Sequence, residues 1–117
     1  MDVDKLDINS LKSEYSKYKK DLLHLNEYMY KNPELGYQEV KSVDKITKLI
    51  QKHVVDTKYK RFNDIPTAFT ASINKRAGKK NVAICIEYDA LPNVGHACGH
   101  NLISSIGLGA FFILSNY

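Results

Sequence analysis

The feature that most constrains how this chain can fold is the uneven distribution of its charges. All 17 Lys and Arg residues lie in positions 1–80, scattered among 11 of the 13 acidic residues. From Asn81 to Tyr117 there is no Lys or Arg, and the only acids are Glu87 and Asp89. Folded proteins seldom keep charged side chains in an apolar interior without a reason. The last third of the chain is therefore predicted to form interior structure, in which Glu87 and Asp89 serve a purpose.

Composition argues against several classes of protein. A hydrophobic content of 44% excludes a disordered chain. The net charge of +4 is dispersed along the helical segments and forms no dense basic stripe, so no nucleic-acid partner is predicted. The most apolar segment, residues 102–114, is shorter than the ~20 residues that a membrane span requires. No secretory signal is recognisable, and the chain has only two cysteines, so a cytoplasmic location is expected.

Two segments show the spacing of amphipathic helices. In residues 9–31 and in residues 38–53, apolar side chains recur every three or four positions with charged residues between them. Asn9 or Ser10 is predicted to cap the first helix. The string Asn32-Pro33-Glu34-Leu35-Gly36 separates the two helices, because the Pro and the Gly favour a turn.

The rest of the chain predicts strands followed by one apolar helix. Residues 57–62 and 67–73 alternate as strands do, and residues 74–80 form a polar turn. Residues 82–86 are continuously apolar, which is typical of a strand buried on both faces, and their Cys85 is expected to be an inert core thiol. The predicted architecture is an α/β fold with a central sheet.

Candidate ligating residues cluster where the last strand meets the last helix, for which Asn101 is the expected N-cap. In α/β sheets, ligands gather beyond the carboxyl ends of the strands. Cys and His both bind zinc and similar ions, and Gly99 would let Cys98 and His100 turn toward one cation. The same residues also suit simple packing or capping, and two ligands do not complete a metal site. Five candidate residues lie within this segment: Glu87, Asp89, His96, Cys98 and His100.

Two strings at this position resemble a known family. Glu87-Tyr88-Asp89-Ala90-Leu91-Pro92 and Gly95-His96-Ala97-Cys98-Gly99-His100-Asn101 are similar to the aminoacylase and hippurate-hydrolase branch of the dinuclear metallo-carboxypeptidases. The turn at residues 32–36 and the strand entry at residues 66–69 agree in order and spacing. The resemblance extends from about Leu22 onward. It implies a three-layer helix–sheet–helix fold of the zinc-peptidase type.

The resemblance also assigns roles to individual residues. It makes Cys98 and His100 metal ligands, and it makes Asp89 the acid that orients the site from behind a ligand. Glu87 stands where distant carboxypeptidases have a ligand His, and it is not expected to ligate. His96 lies near the site with an open role. Asn101 replaces an Asp of many relatives.

The implied whole protein is larger than this chain. Residues 1–117 would be the N-terminal part of a catalytic domain, without the lid and dimerisation domain. Two divalent ions, zinc or manganese and possibly cobalt, would activate water for cleavage of an N-acyl amino acid or a dipeptide. The full-length protein is expected to be a homodimer with no nucleic-acid or membrane partner. In the family, the general-base Glu and the remaining ligands follow position 117, so this chain alone is expected to be inactive.

Two alternatives stay open at this stage. The chain could be a truncated remnant without catalysis, or it could be a small Cys/His metal-binding module.

Overall fold

A computed structural model describes residues 7–73 and 77–117 and shows an α/β chain, as predicted. The turn predicted at residues 74–80 lies partly outside these ranges. No helix in the described ranges is long and apolar enough to cross a lipid bilayer. The elements are α1 (Ile8–Ser16), α2 (Lys19–Lys31), α3 (Val40–His53), β1 (Lys58–Phe62), β2 (Ile65–Ser72) and α4 (His100–Leu114).

The helix predicted over residues 9–31 is interrupted. The Lys17 amide donates to the Glu14 carbonyl, and the Tyr18 amide donates to the Tyr15 carbonyl at 2.9 Å. These bonds span three residues instead of four, which tightens the last turn of α1 and ends it. The chain then restarts as α2 with Tyr18 buried as its N-cap. Apolar spacing alone does not reveal this break, because the helical pattern continues on both sides of it.

Two predicted helix caps are wrong. Helix α1 is capped by Asp7, whose carboxylate accepts a hydrogen bond from the Ser10 amide, and not by Asn9 or Ser10. Helix α4 has Gly99 as its N-cap, with a φ angle of +74° that a residue with a side chain rarely adopts. Asn101 therefore lies inside the first turn of α4, where its side chain is free to bond elsewhere.

The hydrophobic core lies between helices α2, α3 and α4. Helix α4 packs along α2, and Phe112 is completely buried where the two helices meet α3. Helix α3 buries one face and leaves its lysines exposed, as its apolar spacing predicted. The fully or almost fully enclosed apolar side chains of this core are Leu22, Met29, Ile46, Ile50, Leu108 and Phe112.

The two short strands form a hairpin. Strands β1 and β2 pair antiparallel, with Lys60 opposite Thr70 and a change of register after Arg61. This pairing confirms the two strands expected at residues 57–62 and 67–73. In the described part of the chain, the hairpin is the whole of the sheet.

The strand predicted at residues 82–86 does not form. This segment has no regular secondary structure and is paired with no strand of the described ranges, and Val82 is 80% exposed. Cys85 is likewise exposed and not a core thiol. An apolar run indicates a buried strand only if neighbouring strands flank it, and here the hairpin pairs with itself alone. Helix α4 covers the segment from one side.

The contact between this segment and α4 depends on a glycine. A Cβ placed on Gly107 would lie 2.4 Å from Cγ2 of Ile86 and 3.4 Å from Cγ2 of Ile84. The first distance is far inside van der Waals contact, so an added methyl group must displace the segment. Gly107 thus allows residues 84–86 to approach helix α4 closely.

We expect Gly107→Ala to lower the free energy of unfolding by about 1 kcal/mol or more, because overpacking outweighs the gain in helix propensity. Denaturant unfolding of the purified chain measures the change. Gly109→Ala is the matched control on the same helix, since its Cβ would lie 3.2 Å from Cδ1 at the end of the Leu22 side chain, a much smaller overlap. Equal stability of the two variants would contradict the close contact.

Candidate metal-binding site

The candidate loop, residues 87–99, joins residues 82–86 to helix α4 through two tight turns. The Leu91 amide donates to the Gly95 carbonyl at 2.9 Å, and the Gly99 amide donates to the His96 carbonyl at 3.0 Å. Gly95 and Gly99 both have positive φ angles, 64° and 74°, which glycine adopts without strain. The loop therefore places His100, the first residue of α4, beside Glu87 and Asp89.

His100 is held between two carboxylates. Its Nδ1 lies 2.8 Å from Oδ1 of Asp89 and 3.0 Å from the Asp89 carbonyl oxygen. Its Nε2 lies 2.8 Å from Oε2 of Glu87. Both oxygens of Asp89 are acceptors, so Nδ1 carries a proton and donates. Asp89 thus fixes the orientation of the ring, and the contact of Nε2 with the Glu87 carboxylate also requires a proton between those two atoms.

The two carboxylates differ in how firmly they are placed. The Glu87 side chain is 59% exposed, whereas the His100 ring is only 18% exposed. The Glu87 backbone is anchored, because its carbonyl accepts a hydrogen bond from Ser104 Oγ at 2.5 Å. The segment is therefore fixed beside α4, while the Glu87 side chain can leave Nε2 without breaking a buried contact.

His96 lies on the inner side of the same loop. It is 7% exposed, and neither ring nitrogen has a hydrogen-bond partner among the residues that the structure describes. Burial lowers the pKa of His96, and the nearby His100 lowers that pKa further against the opposing charge of Asp89. The ring is therefore neutral at neutral pH.

Cys98 is a free, exposed cysteine. In residues 7–73 and 77–117, no three His, Cys, Asp or Glu side chains are arranged so that they could hold a metal ion. The structure thus brings His100 together with Asp89 and Glu87. It does not gather all the predicted residues into one closed site.

Glu34 supports the loop from the preceding turn, a role that the sequence did not reveal. The Ala90 amide, next to Asp89, donates to the Glu34 carbonyl at 2.7 Å. The Glu34 carboxylate accepts hydrogen bonds from the amides of Lys41 and Ser42 at 3.0 and 2.6 Å, and from Ser42 Oγ at 2.8 Å. It therefore caps α3, whose N-cap residue Glu39 makes no side-chain capping bond. The one available signal was an acid in the turn before a helix that lacks a Ser, Thr, Asp or Asn at its start.

Glu34 carries a negative charge in this position at neutral pH. Partial burial of the carboxyl acts to raise its pKa, but the hydrogen bonds from Lys41 and Ser42 outweigh burial and lower the pKa below the usual value. The carboxylate also faces the positive end of the α3 dipole. The turn at residues 32–36 thus links the start of α3 to the base of the loop.

A hydrogen bond between two amide side chains joins the loop to α2. Asn101, next to His100, donates from Nδ2 to Oδ1 of Asn26 at 2.8 Å. Asn101 is 6% exposed. The first turn of α4 is therefore hydrogen-bonded to Asp89 through His100 and to α2 through Asn101.

Comparisons with curated proteins confirm that the chain resembles a family of amide-bond hydrolases. The chain is 36% identical over 93 residues to a mouse (Mus musculus) protein named Xaa-Arg dipeptidase, and 30% identical over 96 residues to its human (Homo sapiens) namesake. It is 29% identical over 106 residues to an N-acetyldiaminopimelate deacetylase of Oenococcus oeni. No model of a known protein family matches the chain.

These similarities cover most of the chain and a small part of each relative. The matched regions span 74–75% of this chain but only 22–27% of the relatives. The chain therefore spans about a quarter of the length of the curated proteins that it matches.

Proposed function

We propose that residues 1–117 are the N-terminal part of the catalytic domain of a metal-dependent amidohydrolase. Its substrate would be a small N-acyl amino acid or a dipeptide. The names of the similar proteins support this class, because a dipeptidase and an N-acetyl deacetylase both cleave amide bonds. The observation that carries the proposal is the 2.8 Å contact between Asp89 and Nδ1 of His100. A carboxylate behind a histidine is the usual support of a metal-ligating imidazole.

Cys98 and His100 would hold the metal. His100 fits this role because Asp89 holds Nδ1, and because a cation at Nε2 would displace only the exposed Glu87 side chain that contacts it in this structure. Cys98 fits because its thiol is free and exposed and lies two residues before His100, with only Gly99 between them. Two divalent ions, zinc or manganese and possibly cobalt, would supply an activated water and polarise the amide carbonyl.

The other residues of the loop would prepare these two ligands. Asp89 keeps the His100 ring in one orientation and one tautomer. The exposed Glu87 side chain, which contacts Nε2 in this structure, would turn away from it and would not be a ligand. The neutral His96 adds no positive charge beside the cation.

The surrounding fold would be a three-layer helix–sheet–helix domain of the zinc-peptidase type. Residues 82–86 would be an inner strand of its sheet, since their apolar side chains are left exposed and α4 already covers one side. A lid and dimerisation domain would complete a cytoplasmic homodimer that acts on small molecules, without a nucleic-acid or membrane partner.

Hydrolysis assays test the proposal. We expect the full-length protein to hydrolyse an N-acyl amino acid or a dipeptide, to lose activity in a chelator, and to regain it with zinc, manganese or cobalt. Residues 1–117 alone should be inactive, because two protein ligands are fewer than the three that a catalytic zinc keeps. Metal-dependent turnover by residues 1–117 alone, or turnover by the full-length protein that resists the chelator, would contradict the proposal.

A further inference from the structure

We propose that Asn26 on α2 is a positioning residue for the metal-binding loop, acting through Asn101; this inference rests on the proposed function. The amide of Asn101 donates to Oδ1 of Asn26 at 2.8 Å, although the two residues are 75 positions apart. Asn101 directly follows His100 in the first turn of α4. The bond therefore connects α2 to the residue next to a proposed ligand.

The geometry of the first turn makes this bond important. Consecutive residues of an α-helix point about 100° apart around its axis. His100 forms a hydrogen bond with Asp89, whereas Asn101 forms one in another direction, with Asn26 of α2. Ser104 Oγ also bonds to the Glu87 carbonyl, so this end of α4 is already tied to residues 87–89, and the Asn101 bond adds an attachment in a second direction, toward α2. The direction of Nε2 of His100 is thus set jointly by Asp89 and by Asn26.

Within residues 7–73 and 77–117, no side chain caps this end of α4. The N-cap is Gly99, which offers no side-chain hydrogen bond. The amides of Leu102 and Ile103 both donate to the Gly99 carbonyl at 3.0 Å. A first turn without a capping side chain relies on its lateral bonds for a fixed position.

The chemistry of the pair predicts which substitutions it tolerates. An amide side chain has both a donor and an acceptor end, and Asn26 can present either of them by rotating through 180°. Asn101→Asp therefore keeps a hydrogen bond, because Nδ2 of Asn26 can turn to donate to the new carboxylate. Asn26→Ala and Asn101→Ala each remove the bond completely.

Metal titration of the full-length protein, with a competing chelating dye, tests the inference. We expect Asn26→Ala and Asn101→Ala each to weaken zinc binding by about tenfold or more, as the loss of a residue behind a ligand does. The double variant should be no weaker than either single one, because both remove the same bond. Asn101→Asp should retain affinity close to that of the parent. In the cobalt-loaded protein, both Ala variants should shift the absorption bands that report ligand geometry.

Asn116→Ala is the matched control for a purely structural effect. Asn116 lies beyond the other end of α4, and its Nδ2 donates to the Tyr18 hydroxyl at 2.8 Å. Asn116→Ala also removes a hydrogen bond from an amide side chain, here to the N-terminal end of α2. It should therefore lower thermal stability while zinc affinity and the cobalt spectrum stay at the parent values.

The outcomes separate the two proposals. A parent protein that binds no zinc overturns the proposed function and this inference with it. A parent that binds zinc, with parental affinity in Asn26→Ala, overturns the inference alone. Equal weakening in Asn101→Asp and Asn101→Ala, or equal weakening in Asn116→Ala, also overturns it.

Discussion

Replacing Cys98 with Ser in the full-length protein is expected to lower metal affinity more than about 100-fold, which exceeds the 10–100-fold cost of losing a residue behind a ligand. Amide hydrolysis should fall with metal content. The physical reason is that a thiolate binds zinc-like ions far better than a neutral hydroxyl does. Metal analysis after gel filtration and the rate of hydrolysis measure the two effects.

The chain offers a matched control for this substitution. Cys85 is the second free and exposed cysteine, and it lies in residues 82–86, outside the loop. Cys85→Ser should therefore leave metal content and hydrolysis at the parent values. Parental metal content in Cys98→Ser would remove the thiol from the site.

Substitution of Glu34 is expected to produce the largest loss of stability in this region. Glu34→Ala removes three hydrogen bonds from the N-terminus of α3 and leaves the Lys41 and Ser42 amides without their acceptor. Loss of a cap and of charge-assisted bonds predicts a decrease of about 2 kcal/mol in the free energy of unfolding. Denaturant unfolding at neutral pH measures it. Glu27→Ala is the control, because Glu27 pairs with Lys31 on an exposed helix face and its loss should have no resolvable effect.

The contribution of Glu34 depends on pH with a definite sign. Its pKa is lowered in the folded chain, so the folded state favours the charged carboxylate. The stabilisation is fully present above the unfolded value of about 4.3. It is lost as the pH falls through the lower folded pKa. The difference in stability between the parent and Glu34→Gln should therefore shrink in acid, and a difference that grows in acid would contradict the capping role.

The sequence predicted those parts of the fold and site that depend on neighbouring residues. Helix α3 and the hairpin follow from local apolar spacing and turn residues. The orienting role of Asp89 was implied only by the family resemblance, and the structure places Asp89 in contact with His100.

The parts that the sequence did not predict depend on residues far apart in the chain. Residues 82–86 are apolar enough for an inner strand, but a strand forms only beside other strands. The capping of α3 by Glu34 spans seven or eight positions, and the bond between Asn26 and Asn101 spans 75. No local pattern encodes such pairs, since either residue alone reads as an ordinary polar side chain in a turn or on a helix.

X-ray absorption spectroscopy of the zinc-loaded full-length protein tests most directly whether Cys98 and His100 share one cation. The account predicts a sulfur scatterer at about 2.3 Å from zinc together with imidazole nitrogens at about 2.0–2.1 Å. The sulfur signal should be absent in Cys98→Ser. A zinc shell of nitrogen and oxygen alone in the parent protein would contradict the account.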